Sequence, residues 1–329
     1  MNLRPIVLPA NQPPDRFYDG GSRISNFRNV PVSPAHTPED WIGSMTSVRG
    51  KSPVGMTILP DGRLLAEAIM QDPVDWLGAD HVERFGADSK LLVKLLDAGQ
   101  RLPVHAHPDG LFAQTFLEAA HGKAEAWYIL TQGTVYLGLR NEIAADRLQT
   151  LVELQNADEL LSILNPIRVE AHDTVYVPPG TLHAIGAGIL LVEVQEPADL
   201  SILLEWNGFE LDGTTEGHLD LGFALALTAV DHGALDAARL TTLVSRHVQD
   251  GAALTPASSP YFRLDRVSTP RTFPAGFAVV IGLTGLVTLT TSAGPIDVGQ
   301  GSTILVPAAA GALSFIGGGS LLLARPPLV

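Results

Sequence analysis

His105 and His107 stand two residues apart, Glu125 follows Lys123 by the same interval, and His183 ends the run Val177-Pro-Pro-Gly-Thr-Leu-His. In a β-strand, residues two apart project from one face, so His105 and His107 reach toward one ion while Ala106 points away. Three imidazoles and one carboxylate suit a divalent first-row metal, zinc being the first choice and other divalent ions compatible, and such a set leaves room for water or substrate. A lone histidine is more often structural than ligating. Two histidine motifs and a carboxylate carried by adjacent hydrophobic stretches reverse that balance.

Those side chains need rigid carriers. Leu91 to Leu96 reads as a buried strand carrying Lys94, which in such a run either snorkels outward or faces a site. Ala126 to Leu130, Val135 to Leu139, Val169 to Val177 and Gly188 to Glu193 read as further strands, and Leu111 to His121 as a helix. Earlier, Ser47 to Ile58 is compatible with strand pairs, Arg63 to Met70 and Asp75 to Phe85 with short helices, and Trp41 with core packing. Between Asn141 and Asn165, Leu148, Leu151, Val152, Leu154 and then Leu160, Leu161, Leu164 recur at helical intervals. This predicts two helices, split near Asn156 and walling the site. Thr214 to Val230 and Asp236 to Val248 read as helices leading to a strand-rich stretch, Tyr261 to Val329. There, Gly299 to Gly311 echoes Thr174 to Gly180, yet no histidine follows His247.

Gly99 precedes His105 to give Gly-x5-His-x-His, and Pro178 to His183 gives Pro-x-Gly-x2-His; together they resemble the two metal-binding motifs of the cupin superfamily. Leu92-Val-Lys-Leu-Leu-Asp-Ala, Val104-His-Ala-His-Pro-Asp, Gly122-Lys-Ala-Glu-Ala-Trp-Tyr-Ile-Leu and Val177-Pro-Pro-Gly-Thr-Leu-His-Ala-Ile-Gly further resemble the class I mannose-6-phosphate isomerases, in order from about Asp15 to Trp206. His172 stands where the cupin motif usually has Gly, and Pro108 to Ala124 reads as an insertion before Glu125.

The resemblance implies a mainly β fold of two cupin-type β-barrel (jelly-roll) modules. A metal-binding cupin would span 1–140 and 166–210, a helical insertion 141–165, a helical connection 211–260, and a degenerate second cupin without metal ligands 261–329. It implies His105, His107, Glu125 and His183 as metal ligands, although His105 stands where the family often has Gln. It implies Lys94, Lys123, Glu193 and Asp199 as substrate-site residues. The implied reaction is mannose 6-phosphate to fructose 6-phosphate exchange through an enediolate. Two departures bear on substrate: Leu203 replaces an expected Arg, and Pro103 an expected Ser. Loss of an Arg removes a bidentate phosphate partner. Arg23 or Arg28 would have to supply the cation, or the sugar is unphosphorylated. A dioxygenase with the same donor set and a non-catalytic sugar-binding cupin are the competing classes.

Composition narrows the partners. With 329 residues, 46% of them hydrophobic, the chain can bury a large core, and 32 Gly with 24 Pro fit a turn-rich β protein. A formal net charge of −14 without a basic run argues against nucleic acid and anionic membranes. The expected partner is a small-molecule sugar or sugar phosphate, while oligomeric state leaves no signature. The absence of Cys excludes thiolate ligands and disulfides. Met1 to Phe17 lacks the basic start and apolar core of an export signal, and no apolar run reaches about 18 residues, so a cytoplasmic location is expected.

Overall fold

Strict alternation decides how the strands stack. In Ala278–Thr284, Thr303–Val306 and Ser320–Arg325, the side chains of Val279, Ile281, Leu305, Leu322 and Ala324 join one hydrophobic cluster, while Ala278, Val280, Ile304, Val306, Leu321 and Leu323 join another. Neighbouring residues on a strand face opposite ways, so this sheet is buried on both sides. The computed structural model describes residues 3–329, so Met1 and Asn2 of the N-terminal segment lie outside it.

Four sheets with antiparallel pairing make two barrels. In the first, a six-stranded sheet runs in the order Val244–Ser245, Thr174–Val177, Glu125–Ile129, Leu190–Gln195, Leu92–Asp97, Glu39–Ile42. It faces a five-stranded sheet ordered Ile202–Leu203, His105–Ala106, His183–Ile185, Gly133–Leu139, Leu164–Val169. The second barrel has a six-stranded sheet built around Ala278–Thr284 and a four-stranded sheet built around Leu286–Thr291. The expected mainly β, two-barrel architecture is the one observed. Between these sheets of the second barrel lies a hydrophobic cluster of buried residues from Val267 to Leu323. Its strand Thr303–Val306 ends in Val-Pro, as Thr174–Val177 does in the first barrel.

The N-terminal strand Ile6–Val7 pairs with Thr303–Val306 of the second barrel, Ile6 opposite Leu305. The chain then crosses to the first barrel, where Arg16 and Tyr18 reach the inner pocket. The N-terminal segment therefore ties the two barrels together.

Helices differ from expectation in two places. Ala145–Leu154 and Ala157–Ser162 form as predicted, the second capped by Asn156, whose side chain accepts from Glu159 N–H. Yet Leu148, Leu151, Val152 and Leu160 pack on Val104, Ala106, Leu182 and Ala184, the residues of the five-stranded sheet that point away from the barrel interior. They cover the back of that sheet and contribute nothing to the pocket lining. The long helix expected over 214–230 is broken into Gly213–Glu216 and a second piece, Phe223–Ala226 continued by the 3-10 turn Leu227–Ala229, because Leu219, Asp220 and Gly222 adopt left-handed φ of 56°, 66° and 75° between them. Similarly Val244–Ser245, read as helix end, is an edge strand paired with Val175 and Thr174.

Because Ile281 is fully buried and Leu286 is 56% exposed, truncation separates the two layers. Ile281→Ala is expected to cost about 2–5 kcal/mol, and Leu286→Ala less than about 0.5 kcal/mol. Urea midpoints at constant slope check the pair; equal shifts would contradict the stacking described.

Candidate metal centre

Strand register brings the polar residues of the first barrel together. Trp41 lies opposite Lys94, Lys94 opposite Glu193, and Glu193 opposite Trp127, so all four share the inner face of the six-stranded sheet. One row away, Gln195 lies opposite Glu125. On the facing sheet His105 lies opposite His183. His107 follows directly, and its carbonyl accepts the Gly180 N–H at 2.7 Å, which joins the two histidine motifs. Gly180 has φ 81°, and a Cβ there would meet the Ala229 carbonyl at 3.0 Å, so the turn before His183 requires glycine.

Each imidazole is oriented by backbone. His105 Nδ1 lies 2.8 Å from the Pro103 carbonyl, His107 Nδ1 2.7 Å from that of Leu200, and His183 Nδ1 2.8 Å from that of Thr181. A carbonyl only accepts, so each Nδ1 carries the proton and each Nε2 presents a lone pair. The three rings place ligand nitrogens within 4.8 Å of one another, all buried. His183 Nε2 is buried without a hydrogen-bond partner and stands 3.3 Å from a Glu125 oxygen, two acceptors facing each other. Such an arrangement fits a cation between them. A buried His105/His107/His183 group of this kind can bind a metal.

Lys123 already supplies one positive charge, its Nζ lying 2.8 Å from His107 Nε2 and 2.7 Å from Glu125 Oε2. Burial, with Lys123 adding to it, pushes the His107 imidazole down to about 3. Burial and the neighbouring His183 and His107 rings likewise hold His105 well below the usual imidazole range. Burial resists ionisation of Glu125, but Lys123 and His107 outweigh it and keep the carboxyl well below its ordinary value. All three groups thus sit in the protonation state a metal ligand needs.

A second polar cluster adjoins the first. Glu39 accepts from Tyr18 Oη at 2.7 Å, Trp41 Nε1 at 2.7 Å and Arg16 Nη2 at 3.2 Å, and pairs with Lys94 at 3.3 Å. Lys94 is also 3.2 Å from Glu193 and lies over the Trp41 ring, 4.7 Å from its centroid. Trp41 therefore packs in the core, as expected, and also steers two charges. Burial, followed by repulsion from Glu125, raises the Glu193 carboxyl against the pull of Lys94. Asp199 lies apart from these pairs, accepting from the Arg49 main-chain N–H at 3.0 Å and facing Arg16 at 3.7 Å.

The two clusters line one pocket. Lys94, Lys123, Glu193, Asp199, His105 and Glu125 all border it, as does Leu203. Arg23 and Arg28 do not supply the missing cation: they pair with Asp97 at 2.9 Å and Asp40 at 2.6 Å. Arg16, Tyr18 and Glu39 are the pocket residues that sequence reasoning missed. Glu39 carried a signal, since it stands two residues before Trp41 and so shares its face; Arg16 and Tyr18, in a Pro-rich stretch without periodicity, carried none. His172, at φ 74°, occupies a left-handed position that explains the usual Gly there, and its ring meets Tyr128 Oη at 2.7 Å.

The fold is of the two-barrel cupin type, and its first barrel holds a buried three-histidine group that could bind a metal. No protein-family model matches the chain. Among curated proteins, the mannose-6-phosphate isomerase of Streptococcus mutans is 32% identical over 186 residues, 55% of this chain and 54% of that protein. Mannose-6-phosphate isomerase ManA of Bacillus subtilis is 38% identical over 117 residues, 35% of this chain and 36% of its own length. The chain thus spans about half the length of the first relative and about a third of the second. Among solved structures, the Bacillus subtilis mannose 6-phosphate isomerase superposes with TM-score 0.72 at 20% identity, covering 98% of this chain and 100% of that one. A variant of Salmonella typhimurium phosphomannose isomerase gives TM-score 0.74 at 14% identity, over 99% and 100%. The curated homologues and structural neighbours are mannose-6-phosphate isomerases, in keeping with the class I family and its cupin fold.

Glu39 yields a pH prediction. Burial disfavours its charge, but Arg16, Lys94 and the bonds from Tyr18 and Trp41 prevail and hold it well below the ordinary value of 4.5. A depressed carboxyl contributes stability that is present above its unfolded value and is lost as pH falls toward the folded one. Glu39→Gln should therefore be less stable than the parent at pH 7, with the gap narrowing as pH drops below 4.5. Urea titrations across pH check this; a gap that widens on acidification would contradict it.

Proposed function

We propose that this chain is a zinc-dependent aldose–ketose isomerase interconverting mannose 6-phosphate and fructose 6-phosphate, with His105, His107, Glu125 and His183 as the ligands. The observation that carries this reading is the orphaned His183 Nε2 facing Glu125 across 3.3 Å, beside a pocket that also holds Lys94, Lys123 and Glu193. A divalent ion held there supplies Lewis-acid polarisation of the sugar's O1 and O2.

The remaining chemistry falls to the chain's side chains. Moving a proton between C1 and C2 needs a group that takes it from one carbon and returns it to the other. Glu193 suits the task, because burial raises its affinity for a proton and its buried Oε1 makes no hydrogen bond, meeting only the Lys94 ammonium at 3.2 Å. Lys94, raised by Glu39 and Glu193 despite its burial, stays charged and steadies the adjoining carboxylates. Lys123 orients Glu125 and offers a donor toward substrate oxygen, and Asp199 at the mouth accepts from sugar hydroxyls. Sugar phosphate is the partner proposed. The acidic, cysteine-free chain supports a cytoplasmic setting; among the described residues no helix is long and apolar enough to cross a membrane.

Leu203 favours a second reading, isomerisation of an unphosphorylated aldose, because an apolar side chain lines the pocket where the resemblance places an Arg. Proton NMR in D2O separates the two. Mannose 6-phosphate incubated with zinc-loaded protein should give fructose 6-phosphate with deuterium at C1, and recovered mannose 6-phosphate with deuterium at C2, and chelation should abolish both. Glu193→Gln should keep its zinc and lose about 10²–10⁴-fold in kcat. Turnover that survives complete metal removal would overturn the proposal, and turnover of free mannose alone would establish the second reading.

A further inference from the structure

A 6-phosphate is a dianion, and the pocket mouth is poorly charged to receive one. The inner pocket opens into a larger outer chamber, the two sharing Arg16, Phe17, Asp199, Ser201 and Leu203. Around that chamber carboxylates outnumber cations, with Asp15, Asp199, Glu210, Glu216 and Asp220 against Arg16, Arg49 and Lys51. Diffuse attraction is therefore weak. An anion must be held by a donor aimed at it.

One cation borders both chambers, and it is Arg16. Its Nη2 bonds Glu39 at 3.2 Å, whereas Asp199 at 3.7 Å is beyond hydrogen-bond reach. Its Nε is buried without a hydrogen-bond partner. An unpaired buried N–H of a charged group is costly unless a bound molecule satisfies it. The guanidinium is also held in place: its side chain is 13% exposed, its main-chain N–H donates to the His36 carbonyl at 3.0 Å, and Glu39 is fixed in turn by Tyr18 and Trp41.

We infer that Arg16 is the residue that distinguishes phosphorylated from neutral substrate, its unpaired guanidinium edge binding a phosphate oxygen at the pocket neck. The inference rests on the isomerase reading for the orientation of the sugar, reacting carbons toward the histidines and far end toward the mouth. A guanidinium fork matches phosphate where a lysine offers only a point charge. Glu39 links this residue to Lys94, so the groups at the two ends of the sugar are braced by one carboxylate.

The test uses unreactive open-chain probes, sorbitol 6-phosphate and sorbitol, titrated calorimetrically into zinc-loaded full-length protein. The parent should prefer the phosphorylated probe by about tenfold or more, Arg16→Ala should abolish that preference, and Arg16→Lys should keep part of it. Sorbitol affinity should stay unchanged in both variants, which shows that the pocket is intact. Should Arg16→Ala fail to fold, Arg16→Lys and Arg16→Gln carry the same comparison. Full preference retained in the variants, or no preference in the parent, would overturn the inference. Steady-state rates keep the two proposals apart. Mannose 6-phosphate turnover with an Arg16-independent preference rejects the Arg16 role alone, while an Arg16-dependent preference without turnover supports that role and rejects the isomerase reading.

Discussion

A carboxylate and imidazole lone pairs cannot be buried face to face without a cation between them. Glu125 and His183, both essentially inaccessible and 3.3 Å apart, set that condition. Glu125 has partners, Lys123 Nζ at 2.7 Å on Oε2 and Trp127 Nε1 at 3.0 Å on Oε1, whereas His183 Nε2 has none and would forfeit its hydration for nothing in return. The rest of the first barrel answers this demand. Backbone carbonyls turn the rings inward, Lys123 neutralises one side of Glu125, and two hydrophobic layers hold the strands that carry them.

The same reasoning explains the neighbouring charges. Lys94 stands between Glu39 and Glu193, a triad whose burial is tolerable because each charge has a partner or a hydrogen bond. Glu193 is the least satisfied member, its Oε1 meeting only Lys94 Nζ at 3.2 Å. Strain of this sort is stable only where the scaffold is overdetermined, and the six-stranded sheet beneath it is packed on both faces.

The metal-type centre was legible because period two and local turns encode it. His105 and His107 share a face by spacing alone, and the Pro-Pro-Gly turn before His183 requires the left-handed φ that Gly180 adopts. Individual strands were legible through the same short-range patterns, whereas their arrangement in two barrels followed from the resemblance to the cupin superfamily. What was not legible depends on contacts distant in sequence. Arg16 is held at the pocket by the His36 carbonyl and by Glu39, contacts outside any local periodicity. The stretch 214–230 looks helical by composition, yet three left-handed residues break it, and the helices of 141–165 are amphipathic whichever sheet face they cover. Arg23 and Arg28 were plausible cations until Asp97 and Asp40 were seen to hold them.

The most direct test of the metal-centred account is anomalous diffraction at the zinc edge from crystals of the zinc-loaded protein. The account predicts one strong peak about 2.0–2.2 Å from the Nε2 atoms of His105, His107 and His183 and from a Glu125 oxygen. A peak elsewhere, with His183 Nε2 outside the coordination shell, would contradict it.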